Sequence, residues 1–103
     1  MAANICIFQG HFVNDPEITR GKTQDNKEWV KARFKLGVNR FSDKEADFPE
    51  FYCFGAAAEF VGKYFKKGSA AIVESSFETG SYTDKDGQKV YTSTFRAREV
   101  NFG

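Results

Sequence analysis

The sequence predicts an all-β fold, a five-stranded Greek-key barrel with one α-helix between the third and fourth strands. Three observations carry this. Residues 29–38 split cleanly into an apolar and a polar row, as a half-buried strand does. Residues 56–67 space their apolar side chains at i, i+1, i+4 and i+5, the stripe of an amphipathic helix. Asp86-Gly87, set between Ser81-Tyr82-Thr83 and Val90-Tyr91-Thr92, is a strong hairpin turn signal.

Each element has its own warrant, in chain order. Residues 4–12 form a dense run rich in Ile and Phe, expected as a strand buried on much of both faces. Residues 13–27 are polar and charged and predict a long loop. The second strand follows, with Val30, Ala32, Phe34, Leu36 and Val38 on its core face. Trp29, Lys31, Arg33, Lys35 and Gly37 make the other row. A second polar loop spans 39–47. Residues 48–54 then read as a strand with rings at Phe48, Phe51, Tyr52 and Phe54. Gly55 breaks it, and the helix runs over 56–67 with Phe60, Val61, Tyr64 and Phe65 inward. Lys66 and Lys67 suit its C-terminus and Gly68 its C′ position. Residues 70–78 resume strand character, and a last alternating strand covers about 90–100. Strand, strand, strand, helix, strand, strand is the order of an OB-fold, which binds oligomers on the face of strands two and three and through adjacent loops.

Composition narrows the function. A length of 103 residues is one domain, 1–103, with enough core to fold unaided. Twelve Phe, 4 Tyr and 1 Trp are an aromatic load that disordered chains lack. The formal charge of +1 is too small for a protein that holds nucleic acid by bulk charge. No apolar run approaches the ~20 residues that span a bilayer, and no basic n-region precedes Ile5-Cys6-Ile7-Phe8. A cytoplasmic protein is expected. Cys6 and Cys53 sit in separate apolar runs with His11 the only histidine, which makes no zinc site and suggests two buried thiols. No nucleophile elbow or phosphate-cradling loop is present. The acids of Asp84-Lys85-Asp86 and Asp43-Lys44-Glu45-Ala46-Asp47 alternate with lysine or alanine, as solvated loops do. Neither catalysis, a metal nor a cofactor is expected.

A binding constellation is better supported. Lys31, Arg33 and Lys35 share one row of the second strand, Arg40 follows it, and Arg96 and Arg98 share a row of the last strand. A merely solvated face would mix charge signs, so these cations suggest a phosphate track. Phe41, Phe48, Phe54 and Tyr82 stand near loops at the barrel rim. Each ring alone suits core packing. Together with a basic groove they suit base stacking on a single strand.

These pieces make the chain similar to bacterial and phage single-stranded DNA-binding proteins over residues 4–100. The resemblance rests on Asn4, Gly10 and Asp15-Pro16-Glu17; on Phe34-Lys35-Leu36-Gly37-Val38-Asn39-Arg40, with Gly37 where alanine is usual; and on Phe54-Gly55 with Ala58-Glu59. It continues through Tyr64-Phe65-Lys66-Lys67-Gly68-Ser69 and Tyr82-Thr83-Asp84-Lys85-Asp86-Gly87-Gln88 with Tyr91. It implies stacking at Phe54, Phe48 and Tyr82, with Phe41 near a further ring position. It also implies sequence-independent binding of single-stranded DNA in replication, recombination or repair, and a homodimer or homotetramer. Strand one, apolar on both faces, is expected at the subunit interface.

Three departures stand out. Thr19-Arg20 shifts a usual arginine by one place. Ser75 sits where glutamate is usually followed by glycine, so no bulge or close approach is expected in strand four there. The family's flexible linker and acidic C-terminal tip, which recruits other replication proteins, have no counterpart before the chain stops at Val100-Asn101-Phe102-Gly103. A lost role, a short phage-like form and the core of a longer protein all fit that ending.

Two other readings share the fold. One is a replication accessory module similar to primosomal OB-fold proteins, acting mainly through protein contacts. The other is a structural OB domain with no nucleic acid partner. Rings at Phe48, Phe54 and Tyr82 favour single-stranded DNA, because a protein-docking barrel has no use for them there. Nothing in the sequence reads a 2′-hydroxyl, so RNA stays open beside DNA.

Overall fold

A computed structural model describes residues 3–40 and 45–103. It is mostly β with one short helix: β1 (Cys6–Phe12), β2 (Glu17–Lys22), β3 (Glu28–Asn39), β4 (Ala46–Asp47), β5 (Glu50–Phe54), α1 (Ala56–Tyr64), β6 (Ala70–Thr83) and β7 (Lys89–Phe102). Strand neighbours run β1-β6-β7-β5-β3-β2, with β4 beside β3. β1 also meets β3, at His11↔Gly37 and Phe12↔Leu36. Gly10 makes that approach feasible. A Cβ there would stand 2.3 Å from the Gly37 carbonyl oxygen, so any side chain would force the two strands apart.

The core is a chain of rings. Phe12 stacks on Phe34 at 4.8 Å and on Phe65 at 5.1 Å, and Phe34 stacks on Phe51 at 5.2 Å. Phe8 meets Phe95 edge-on at 4.9 Å. Val30, Ala32, Phe34 and Leu36 are all buried, as the alternation in β3 requires. Each fully buried Phe or Leu side chain contributes about 1.5–3 kcal/mol, which makes this inward row the main reason β3 keeps its register.

Four expectations are corrected. The polar segment 13–27 is no simple loop: Glu17–Lys22 pairs antiparallel with β3 from Glu17↔Arg33 to Lys22↔Glu28. Its one apolar anchor, Ile18, packs against the core, too weak a period to read in sequence. The helix stops at Tyr64, because Phe65 adopts an extended conformation (φ −116°, ψ 144°) and turns its ring into the core. The last-turn cation is therefore Lys63 rather than Lys66 or Lys67. Residues 48–54 are not one strand, since Phe48 precedes β5. Strand one is not buried on both faces: Ile7 is 68% exposed, while Gly10 and Phe12 are buried. Cys6, on that strand, is only partly covered, whereas Cys53 is buried.

The sheet is irregular beside Ser75, but the extra residue lies on the partner strand β7 and not on β6. The β6–β7 register shifts there, from Glu74↔Glu99 to Ser75↔Ala97, leaving Arg98 as the extra residue of a bulge. Ala97 and Val100 are both buried although three apart, which a regular strand of period two forbids. The bulge resolves that conflict. Buried Ser75 is satisfied by donating its hydroxyl to the Cys6 carbonyl at 2.9 Å. The hairpin beyond closes as expected, with the Asp84 carboxylate accepting from the backbone N–H groups of Asp86 and Gln88, both at 2.9 Å.

Candidate nucleic-acid interface

The outward row of β3 runs Trp29, Lys31, Arg33, Lys35, Gly37, about 26 Å at strand rise. Cross-strand register decides what lies beside it. Phe54 sits opposite Lys31, Tyr52 opposite Arg33, and Glu50 opposite Lys35. On the far side of β5, Tyr52 pairs in parallel with Arg96, which pairs in turn with Ser76. Two residues along β6, and so on the same face, comes Glu78; Tyr82 continues that row toward the hairpin tip. The sheet thus brings Lys31, Arg33, Lys35, Phe54, Arg96 and Tyr82 onto one continuous face from four strands distant in sequence.

Phe54 is its centre. The ring is 45% exposed. The Lys31 Nζ lies 5.7 Å from its centroid, the Arg96 Cζ 5.9 Å, and the Tyr52 ring stands edge-on at 5.7 Å. Both cations are within reach of the ring's negative face. A hollow of about 450 Å³ on one side of Phe54 is lined by Arg96, Arg98 and Glu78 among others. Phe48, 60% exposed, lies near the far end of the row, 3.6 Å from where a Cβ on Gly37 would sit. Tyr82 is 57% exposed. The three rings therefore present open surface, which core rings do not. Phe41 lies outside the described residues.

The charge pattern is less one-sided than the sequence implies. Arg33 already pairs with Glu50, at 2.5 Å, and the carboxylate raises the guanidinium's pKa through that hydrogen bond first and charge second. The Tyr52 hydroxyl donates to the Glu78 carboxylate, which pushes its ionisation above the usual phenol range, with burial adding to the effect. Arg40 is held by Asp47 at 2.9 and 3.1 Å and by Glu45 at 3.3 Å. Asp47 is accordingly more acidic than an ordinary aspartate, chiefly through that hydrogen bond. Apart from Glu45, just before β4, the acids come from β4, β5 and β6, so reading β3 and β7 alone misses them. Sequence reasoning also missed two rings: Tyr52, half-buried between Lys31 and Glu78, and Trp29, which heads the same row as the three cations. The alternation itself was the signal for both.

Among the described residues no three His, Cys, Asp or Glu side chains gather as a metal site, and no helix is long and apolar enough to cross a membrane. What remains is a sheet face on which open rings alternate with cations. Open rings beside cations are the kind of surface on which proteins hold single-stranded nucleic acid.

Comparison with known proteins points the same way. Residues 3–103 match the model of the single-strand binding protein family, and the chain belongs to that family. It is 36% identical to the single-stranded DNA-binding protein 1 of Staphylococcus aureus strain MSSA476, over 96% of this chain and 64% of that protein. A single-stranded DNA-binding protein of Fusobacterium nucleatum is 34% identical over 97% of this chain and 66% of its own length. That of Halalkalibacterium halodurans is 36% identical, over 96% and 60%. The chain thus spans somewhat under two thirds of the length of the first of these relatives.

Proposed function

We propose that this chain binds single-stranded DNA without regard to sequence, in replication, recombination or repair, and catalyses nothing. The observation that carries the reading is Phe54, an open ring with Lys31 and Arg96 beside it at the centre of the sheet face. Bases stack on Phe54, Phe48 and Tyr82, while Lys31, Lys35, Arg96 and Arg98 neutralise phosphates. Arg33 and Arg40 join after exchanging their carboxylates for phosphate. Stacking tolerates any base, which explains why no residue need read sequence. The face does not distinguish ribose from deoxyribose; the relatives' names favour DNA.

The same reading covers architecture. The β1–β3 contact closes the ring β1-β6-β7-β5-β3, which we take as the five-stranded OB barrel of a single domain, with β2 and β4 as additions to its rim. Ile5 and Ile7, both largely exposed, make β1 the surface for a second copy in a homodimer or homotetramer. The cytoplasm is the compartment that suits this role.

Fluorescence anisotropy of a labelled oligothymidine tests the proposal. Unlabelled single strand should displace the probe and duplex DNA should not. Equal competition by duplex would overturn it.

A further inference from the structure

Trp29, the only tryptophan of the chain, heads the outward row of β3 and lies on the same face as Phe54. Lys31 faces Phe54 across the β3–β5 pair, so Trp29, two residues along, is its diagonal neighbour, a spacing of about 7–8 Å between backbones that large rings bridge. Both rings line one open cleft of about 580 Å³, together with Arg20, Lys22, Glu28 and Glu59.

The cleft has a built floor. Trp29 pairs across the β2–β3 hairpin with Gly21. Three adjoining indole atoms, Cζ2, Cε2 and Nε1, lie 2.5–2.9 Å from where a Cβ on Gly21 would stand. The indole therefore lies across the glycine, in space that any other residue would fill. It is nonetheless 39% exposed, with its open surface toward the cleft. The charges around it cancel: Arg20 pairs with Glu59 at 2.5 and 3.1 Å, and Lys22 stands opposite Glu28 in register. A phosphate gains little there. A flat, uncharged, polarisable partner gains most.

We infer that Trp29, seated on Gly21, is a further stacking platform that takes an unpaired nucleobase and extends the strand's path from Phe54 onto the β2–β3 hairpin. The inference rests on the single-strand-binding reading and adds a site to it. The cleft is continuous with the Phe54 face, so one strand crossing Phe54 reaches Trp29 without leaving the sheet. Because the local charges are paired off, this platform adds affinity while leaving the salt dependence unchanged.

Two measurements on the same titration separate the inference from the reading beneath it. Anisotropy of a labelled oligothymidine reports binding, and intrinsic fluorescence reports Trp29 alone. The expected result is binding with quenched emission and protection from acrylamide, absent with an abasic oligomer of equal length. Trp29→Ala should weaken binding by about 5- to 150-fold, the worth of one stacked base, at an unchanged salt slope. Gly21→Ala, which keeps the indole but pushes it off its seat, should weaken binding in the same direction. Tight binding with unaltered Trp29 emission and full affinity in Trp29→Ala would overturn the inference and leave the reading intact. No anisotropy change with wild-type protein would overturn both.

Discussion

Replacing Phe54 with alanine separates stacking from folding. The ring is 45% exposed, so roughly half its surface is already in water and truncation should cost about 1–2 kcal/mol of stability. For a chain of this size that lowers Tm by about 4–8 °C for each kcal/mol, leaving the protein folded at room temperature. The loss to binding should be comparable or larger, about 1–3 kcal/mol for one base, or about 5- to 150-fold in Kd. Lys31 and Arg96 remain in place, 5.7 and 5.9 Å from the deleted ring, so the charges that release counterions are untouched. The slope of log K against log salt should therefore stay within a few tenths of wild type, whereas losing one phosphate contact changes it by about 0.7. Anisotropy titrations with oligothymidine at several salt concentrations, beside thermal melts, give all three quantities. A large fall in Tm with unchanged affinity of the folded fraction would place Phe54 among the core rings and refute the stacking argument.

Other perturbations test neighbouring parts of the account. Arg33→Ala should flatten the salt slope, while Glu50→Gln, which removes the carboxylate that holds Arg33 at 2.5 Å, should tighten binding severalfold in the same titrations. Phe60→Ala breaks ring contacts with Tyr64, Phe65 and Phe102 at 5.1–5.6 Å and should cost about 2–4 kcal/mol of stability, read as a fall in Tm before any change in affinity. Burial pushes the Cys53 thiol up to about 11 from 9.0, so its share of stability is whole below pH 9.0 and is lost as pH rises through about 11. At pH 8 a disulfide reagent should label part-exposed Cys6 readily and Cys53 only on unfolding, measured by absorbance with each cysteine replaced in turn by serine.

Much of this molecule is legible in its sequence for one physical reason: strands with one buried face write that face at period two. Val30, Ala32, Phe34 and Leu36 do so, and their register carries Lys31, Arg33 and Lys35 to the opposite side with no further information. β2 escapes notice because only Ile18 anchors it, and its stability comes from pairing with β3 rather than from a pattern of its own. The bulge at Arg98 hides for a different reason, since the inserted residue is set by the partner strand's register and by the need to bury both Ala97 and Val100. The acids that hold this face, Glu50 paired with Arg33 and Glu78 accepting from the Tyr52 hydroxyl, come from other strands and become neighbours only once topology is known. Trp29 is the instructive omission. It stands in the same row as the cations, but a ring at a strand's start reads as packing until the glycine beneath it and the cleft above it are in view.

The central claim is that a single strand runs over the outward face of β3, β5 and β7 with its bases on open rings. Photo-crosslinking tests it most directly, with an oligonucleotide carrying 5-iodouracil at successive positions and the adducts mapped by mass spectrometry. The account predicts adducts at Phe48, Phe54 and Tyr82, and at Trp29 if the strand continues onto the hairpin. Adducts confined to exposed rings elsewhere, such as Tyr64 and Phe102 beside the helix, would contradict it.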